Sequence, residues 1–345
     1  MMRAFKFFQR SSFPLRPVPV GIKEILFFKE APCDIWTYED DIFKPLFKKE
    51  GGIEKRALRK LVENGTYELF IQDNEINLLR KGLRQHLRQM SRTLGIGGAV
   101  KNTLRQMSLL SINMGHLYED PTDDEALNLQ YRSARNLINF LSTHKKYVPG
   151  LYADLVRQNH HYSVGHPLLS SLILFSFLKY LNHFSEREIE LLVLSNYFKD
   201  IGMSLIPLEI FNKKDLNQSE KDSIDRHTLH SIDILRGRVP LNSNYLDIIG
   251  NHHNHTLIGG EGGVRQRSQG PRSGFLKYGG RSEDIKTILV LIMDIMTAMI
   301  SPRPYRSAVG LFPTLDRIKY IFAKDFQSEF HHLIYFSQQF LSRVK

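Results

Sequence analysis

The pattern of apolar and polar positions changes near residue 74, from short alternating segments to long helical ones. Three runs rich in aromatic and β-branched residues predict strands: Ile25–Phe28, Asp34–Tyr38 and Tyr67–Ile71. Between them, Leu58 and Leu61 recur at helical spacing in a predicted helix over Glu54–Glu63. The first part of the chain is therefore predicted to form a small α+β domain.

From Asn74 to about Leu141 the pattern is almost wholly helical, with interruptions at Gly95–Gly98 and at Pro121. Pro149 and Gly150 predict a boundary before a second helical region. That region contains six further predicted helices: Leu168–Leu181, Glu186–Phe198, Glu220–Leu235, Tyr245–His253, Ile285–Ile300 and Thr314–Val344. Ser185 and Asn217 precede helical segments as N-cap residues.

These segments predict a mainly α protein with three parts. An N-terminal α+β accessory or regulatory domain covers residues 1–95, a helical linker covers 96–150, and a helical domain covers 151–345. The stretch Gly259–Gly280 is rich in Gly, Arg and Ser and lacks apolar periodicity, which predicts a long loop.

Composition indicates a soluble protein of a reducing compartment. Of the 345 residues, one is a cysteine, Cys33, so no intramolecular disulfide can form. Met1–Val20 has no apolar core of signal-peptide length. The apolar run Leu289–Ile300 contains Asp294 and is too short to span a bilayer. We therefore predict a cytoplasmic protein without a membrane span.

The net charge of +11 has two interpretations. Much of it falls in Arg80–Arg105 and Arg265–Arg281, which suits a solvated helix face plus a mobile loop. It is also compatible with binding a phosphorylated ligand. A nucleic-acid partner is not expected, because these basic residues are not interleaved with exposed aromatic residues.

Histidine and aspartate residues are spread through the second half of the chain, and imidazole and carboxylate are the usual ligands of Fe, Mn and Zn. Phosphoester hydrolysis commonly uses two such ions. A single histidine is more often a surface or core residue than a ligand, so the order and context of the set carry the signal. The candidate residues are His166, Asp200, His227, His252, His253 and Asp294.

This series resembles the HD-GYP family, helical phosphodiesterases that hydrolyse the bacterial second messenger cyclic di-GMP. The resemblance covers about Gln158–Leu341. Its most specific parts are the segment from Ile206-Pro207 to His227 and the run Arg303-Pro304-Tyr305-Arg306. It implies a helical HD-superfamily bundle, and the first part of the chain is more loosely similar to accessory domains that precede some HD-GYP domains.

The resemblance also implies roles for single residues. The six His and Asp residues named above would be metal ligands, with Asp200 bridging two ions. Arg303 and Arg306 match positions that contact the phosphates of the dinucleotide. The structural alternative, in which these two arginines cap a helix and pack its loop, stays open.

Several positions depart from the family pattern. Lys199 stands where the histidine of the His-Asp pair is expected, and Met203 stands where a lysine is usual. Asn254 replaces a glutamate, and Tyr162 takes the place of a third-metal glutamate. No Gly-Tyr-Pro follows His253 in the extended loop. Together these changes suggest a remodelled site.

A lysine ammonium has no free lone pair and repels a divalent cation. We therefore expect the Lys199 ammonium to occupy one metal position and to neutralise Asp200 and Asp294. Two states of the other position stay open. It binds one divalent ion (Fe, Mn or Zn) through Asp200, His227, His252 and His253, or it is empty and held by hydrogen bonds and ion pairs; a second ion is not expected.

Three functions are compatible with these residues. The favoured one is a degenerate HD-GYP protein that binds cyclic di-GMP or a partner such as a diguanylate cyclase without catalysis. The second is a slow metal-dependent phosphodiesterase. The third is an interaction module that binds no nucleotide and whose N-terminal half carries the function.

Overall fold

The computed structural model describes residues 16–94, 99–158, 162–211, 213, 215–253, 281–302, 306–322 and 326–343. Chain contacts divide it into two compact units, Met1–Gln89 and Met90–Lys345. The residues predicted as a separate linker, 96–150, belong to the second unit. Pro149 and Gly150 lie inside a helix, with Pro149 in its first turn, where its missing N–H costs no hydrogen bond.

The first unit is an α+β domain. Its elements are β1 (Pro17–Gly21), α1 (Ile22–Ile25), β2 (Ile35–Glu39), β3 (Ile42–Phe47), α2 (Lys55–Glu63), β4 (Glu68–Gln72) and most of α3 (Ile76–Arg92), whose last three residues belong to the second unit. The described strands form an antiparallel sheet in the order β1-β4-β2-β3. Alternate strand residues such as Ile35, Leu69 and Ile71 are fully buried, as a sheet with one covered face requires.

Two of the three predicted strands are confirmed, as β2 and β4. The strand predicted over Ile25–Phe28 is wrong, because Ile25 ends α1 and the Phe28 N–H donates back to the Ile25 carbonyl at 3.1 Å. Strand β3 was not predicted. It pairs with β2 through a hairpin in which Asp40 and Asp41 have φ of 53° and 62°, the left-handed conformation that favours two-residue hairpin turns.

The described part of the second unit is helical. Its helices are α4 (Ala99–Glu119), α5 (Asp124–Thr143), α6 (Val148–Arg157), α7 (Tyr162–Leu181), α8 (Glu186–Phe198), α9 (Leu208–Phe211), α10 (Gln218–Asp225), α11 (His227–Leu235), α12 (Ser243–Asn251), α13 (Arg281–Ile300), α14 (Leu311–Phe322) and α15 (Gln327–Ser342). Short 3-10 turns cover Lys145–Tyr147 and Ile201–Leu205. The helix predicted over Glu220–Leu235 is two helices, with the break at Arg226.

Helix α8 is the central helix of this unit, and every residue from Ile189 to Phe198 is buried. It packs against α5, α7, α12 and α13. Its polar groups have partners: Asn196 Nδ2 donates to Ser170 Oγ (3.1 Å) and Ser171 Oγ (3.0 Å) on α7. Because α8 ends at Phe198, the next two residues emerge in the interior of the bundle.

The predicted N-cap Ser185 is confirmed at the start of α8, where it forms a capping box with Glu188. The Glu188 N–H donates to Ser185 Oγ at 3.3 Å, and the Ser185 N–H donates to Glu188 Oε2 at 3.0 Å. Each contact satisfies a backbone donor that has no partner within the helix.

Replacing Ser185 by alanine is therefore expected to lower the free energy of unfolding by about 1 kcal/mol. Urea denaturation would measure the change. Ser342→Ala is the control, because the exposed Ser342 hydroxyl only donates to Gln339 O at the end of α15. Equal effects of the two substitutions would contradict a capping role.

Among the described residues, one helical segment, Val164–Leu181, is long and apolar enough to cross a membrane, with a mean hydropathy of 1.3. In the structure 67% of this segment is buried within the protein. The core helix of a soluble protein has the same properties, and α7 packs against α8 and α13.

Candidate metal centre

Side chains from five parts of the second unit meet beside the end of α8. The structure brings together all six residues predicted as metal ligands, in two overlapping groups. Within each group the ligand atoms lie within 4.8 Å of one another. The first group is Asp200, His227, His252 and His253, and the second is His166, Asp200 and Asp294.

Lys199 lies within the second group. Its side chain is 0% exposed, and its ammonium forms ion pairs with Asp200 and with Asp294, the latter at 2.7 Å from Nζ to Oδ1. The same Asp294 oxygen lies 2.8 Å from His166 Nε2. The ammonium therefore stands between the two carboxylates that a metal ion in this group would share.

The three charges hold one another in the ionised form. Burial would lower the pKa of Lys199, but the charges of Asp200 and Asp294 outweigh it and the pKa is raised. Burial would raise the pKa values of Asp200 and Asp294, yet the adjacent Lys199 ammonium holds both well below their usual range. The contact of His166 Nε2 with Asp294 Oδ1 adds to this effect for the Asp294 pKa. The cluster carries two negative charges and one positive charge.

Backbone carbonyls fix the histidine rings of the first group. His227 Nδ1 contacts Ile224 O, and His252 Nδ1 lies 2.6 Å from Ile249 O. A carbonyl oxygen only accepts hydrogen bonds, so Nδ1 carries the proton in both rings. In the neutral rings Nε2 then has a free lone pair, which is the arrangement of a metal-binding histidine.

Both lone pairs face the same carboxylate oxygen. Asp200 Oδ1 lies 3.2 Å from His252 Nε2 and 3.4 Å from His227 Nε2. The buried His227 Nε2 has no hydrogen-bond partner among the described residues. With the ring protons on Nδ1, the two Nε2 atoms and the Asp200 oxygen are all hydrogen-bond acceptors. This arrangement requires either a second proton on one ring or a cation between the nitrogens and the oxygen.

Burial argues against a second proton on His252. It lowers the pKa of His252, and it lowers the pKa of the neighbouring His253 well below the usual value, with the charge of His252 as a smaller cause. Neutral imidazole is the form that binds metal. The residues of the first group therefore fit a divalent cation, which would satisfy the His227 nitrogen.

Two further residues position this site, and neither was singled out from the sequence. Tyr118 on α4 donates to the Asp200 carbonyl at 3.2 Å. Ser231 on α11 donates to the Lys199 carbonyl at 2.6 Å and accepts from the Gly202 N–H at 2.8 Å. The sequence does not mark either residue, because tyrosine and serine occur in many helices that are not part of a functional site.

Gly202 allows α11 to approach the site closely. A Cβ atom at this position would lie 2.1 Å from the His227 carbonyl oxygen and 2.5 Å from the Ser231 nitrogen, distances that real contacts do not reach. The absence of a side chain at Gly202 thus brings the first turn of α11, and with it His227, against Asp200.

Arg306 makes the contacts of a helix cap. Its guanidinium donates to the carbonyls of Ala298, Met299 and Ser307, two of which belong to the last turn of α13. Its matched role in phosphate binding stays a prediction. Arg303, Asn254 and the predicted loop 259–280 lie outside the described residues.

No protein-family model and no curated protein matches the sequence. Among solved structures, the chain is similar to Bd1817, a HDG"Y"P protein from Bdellovibrio bacteriovorus, with 14% sequence identity and a TM-score of 0.58. The match covers 94% of this chain and 100% of that chain. At this identity the likeness concerns the fold. The chain therefore has the fold of an HD-GYP protein, a helical HD-type bundle preceded by a small α+β domain.

Proposed function

We propose that this protein binds cyclic di-GMP at a site with a single divalent ion and does not hydrolyse it. One observation carries the proposal: the Lys199 ammonium lies between Asp200 and Asp294, within the second group of candidate ligands. The fold shared with an HD-GYP protein supports the class of ligand.

The lysine argues against hydrolysis for an electrostatic reason. Two-metal sites hold ions about 3.5–4 Å apart, so that both stabilise the attacking and leaving oxygens. In this chain the second ion would have to displace an ammonium whose Nζ lies 2.7 Å from Asp294 Oδ1. The second metal ion and the Lys199 ammonium would need the same two carboxylates. The ammonium is attached to the chain and is therefore always present.

The remaining group would hold one ion through Asp200, His227, His252 and His253. Three imidazoles and one carboxylate suit Fe, Mn or Zn. When bound, the ion supplies a Lewis acid that attracts a phosphate oxygen. In this proposal, Arg303 and Arg306 add phosphate contacts, and a diguanylate cyclase or another signalling protein is the partner that senses the bound nucleotide.

Metal analysis tests the single-ion site. We expect about one equivalent of metal per chain in purified protein, and loss of that metal in His252→Ala, which removes a direct ligand. His183→Ala is the control, because His183 is exposed. In Lys199→His a neutral imidazole replaces the ammonium, and metal content should rise toward two equivalents. Two equivalents in the unaltered protein would contradict the proposal.

Nucleotide experiments test the rest. Isothermal titration with cyclic di-GMP should give a binding signal in the metal-loaded protein, and the nucleotide should be recovered intact. Absence of heat at high micromolar ligand would favour an interaction module that binds no nucleotide.

The second candidate, a slow one-metal phosphodiesterase, is favoured by the three imidazoles and one carboxylate of the first group, because a single ion bound there would also activate water. Turnover in the unaltered protein that is abolished in Asp200→Ala would establish that activity and overturn our proposal.

A further inference from the structure

Ser231 ties the backbone of the Lys199-Asp200 segment to helix α11. Its side chain is fully buried, and its hydroxyl donates to Lys199 O at 2.6 Å while accepting from the Gly202 N–H at 2.8 Å. A hydroxyl has a single proton to donate, so these two contacts fix its direction. Both bonds go to backbone groups on either side of Asp200.

The position of Ser231 on α11 gives this contact a consequence for the site. Ser231 follows His227 by four residues, so the two side chains lie on one face of the helix. The face is held close to the turn after α8, since a Cβ on Gly202 would overlap both the His227 carbonyl and the Ser231 nitrogen. The hydroxyl and the glycine thus locate His227 relative to Asp200.

The other two histidines reach the site from a different helix. His252 and His253 follow α12, and the His252 ring is held by its own contact with Ile249 O. Loss of the Ser231 hydroxyl would therefore release His227 while leaving this pair in place.

We infer that Ser231 is a positioning residue that sets the distance from His227 to Asp200 and so determines the metal affinity of the site. The inference rests on the proposed single-ion site only in the experiments that measure metal binding. Supporting residues of this kind typically change metal affinity by about 10- to 100-fold. Ser231→Ala should raise the dissociation constant for Zn²⁺ or Co²⁺ by that factor and alter the visible spectrum of the Co²⁺ form.

Ser195→Ala is the matched control. Ser195 is equally buried, but its hydroxyl donates at 2.9 Å to Leu191 O within α8 and touches no candidate ligand. It should leave the Co²⁺ spectrum and affinity unchanged. Ser231→Cys keeps a side chain of similar size with a weak donor, and should give a metal affinity between those of the unaltered protein and Ser231→Ala. It replaces Ser231→Ala in the test if that variant folds poorly.

A double-mutant cycle separates positioning from general loss of structure. If Ser231 acts through His227, adding Ser231→Ala to His227→Ala should have no further effect on metal affinity. An additive loss in the double variant, or an equal loss in Ser195→Ala, would overturn the inference.

A readout without metal distinguishes this inference from the proposed function. The ¹⁵N chemical shifts of the His227 ring should change in metal-free Ser231→Ala and stay constant in Ser195→Ala. If the unaltered protein binds no metal, the proposed single-ion site is wrong, while the ring shifts still decide whether Ser231 positions His227. Unchanged shifts in Ser231→Ala would overturn the inference.

Discussion

Replacing Lys199 by methionine is expected to lower the free energy of unfolding by about 3–5 kcal/mol, the usual cost of removing one partner of a buried ion pair. The ammonium is 0% exposed and pairs with two carboxylates that are themselves nearly buried. Methionine fills much of the space but leaves Asp200 and Asp294 without their cation. Urea denaturation at neutral pH, with a chelator present to exclude metal, would measure the change.

Two variants define what this result means. Lys286→Met breaks the half-exposed pair with Glu188 in the same unit, and should cost no more than about 1 kcal/mol. Adding Asp294→Asn to Lys199→Met removes one unpaired charge and should recover part of the lost stability. If Lys199→Met is as mild as the Lys286 control, the buried ion pair does not stabilise the fold.

Gly202→Ala should be nearly as damaging, for a steric reason. The added Cβ would lie 2.1 Å from His227 O and 2.5 Å from Ser231 N, and both are backbone atoms that cannot rotate away. Overpacking of a core typically costs about 1–3 kcal/mol, and contacts this short belong at or above the upper end. Because α11 must move, metal binding should also be lost. Calorimetric unfolding and metal analysis would measure the two effects.

Gly150→Ala provides the matched control for this substitution. Gly150 lies in helix α6 of the same unit, and an added Cβ there would meet nothing within 4 Å. Alanine is favoured over glycine within helices, so a gain of about 0.5–1 kcal/mol is expected. Retained metal binding in Gly202→Ala would show that the close approach of α11 does not form the site.

Helices with clear start signals could be predicted from the sequence to within a residue or two. Helix α8 follows the capping box of Ser185, and α10 begins at Gln218 after the N-cap Asn217, whose Oδ1 accepts from Glu220 N at 2.9 Å. Where the signal was absent the prediction failed. The break at Arg226 has neither proline nor glycine, and the helix that follows it, α11, packs against the turn after α8.

Strands were harder to predict, because β propensity depends on packing. The aromatic run ending at Phe28 looks like a strand by composition, yet Ile25 is buried at the end of a helix. Pro45 interrupts the apolar pattern of β3, an edge strand of the described sheet, where a missing N–H is tolerated.

The residues of the candidate site could be predicted because the order of His and Asp residues along the chain resembles the HD-GYP pattern. The ion pairs of Lys199 with Asp200 and Asp294 were also expected from the sequence. The supporting contacts were not, because Ser231 reaches the Lys199 carbonyl only through the packing of α11 against the turn after α8. The spacing of residues along the sequence does not indicate such contacts.

The cation beside Asp294 has a property that no bound ion shares: it is part of the chain. A metal ion can be withdrawn by a chelator or by scarcity in the cell, and proteins that need one to balance buried carboxylates lose stability without it. Lys199 is covalently attached and cannot dissociate. The charge balance around Asp294 therefore does not depend on metal supply, and under the proposed function a rise or fall in available metal would alter only the occupancy of the histidine-rich group.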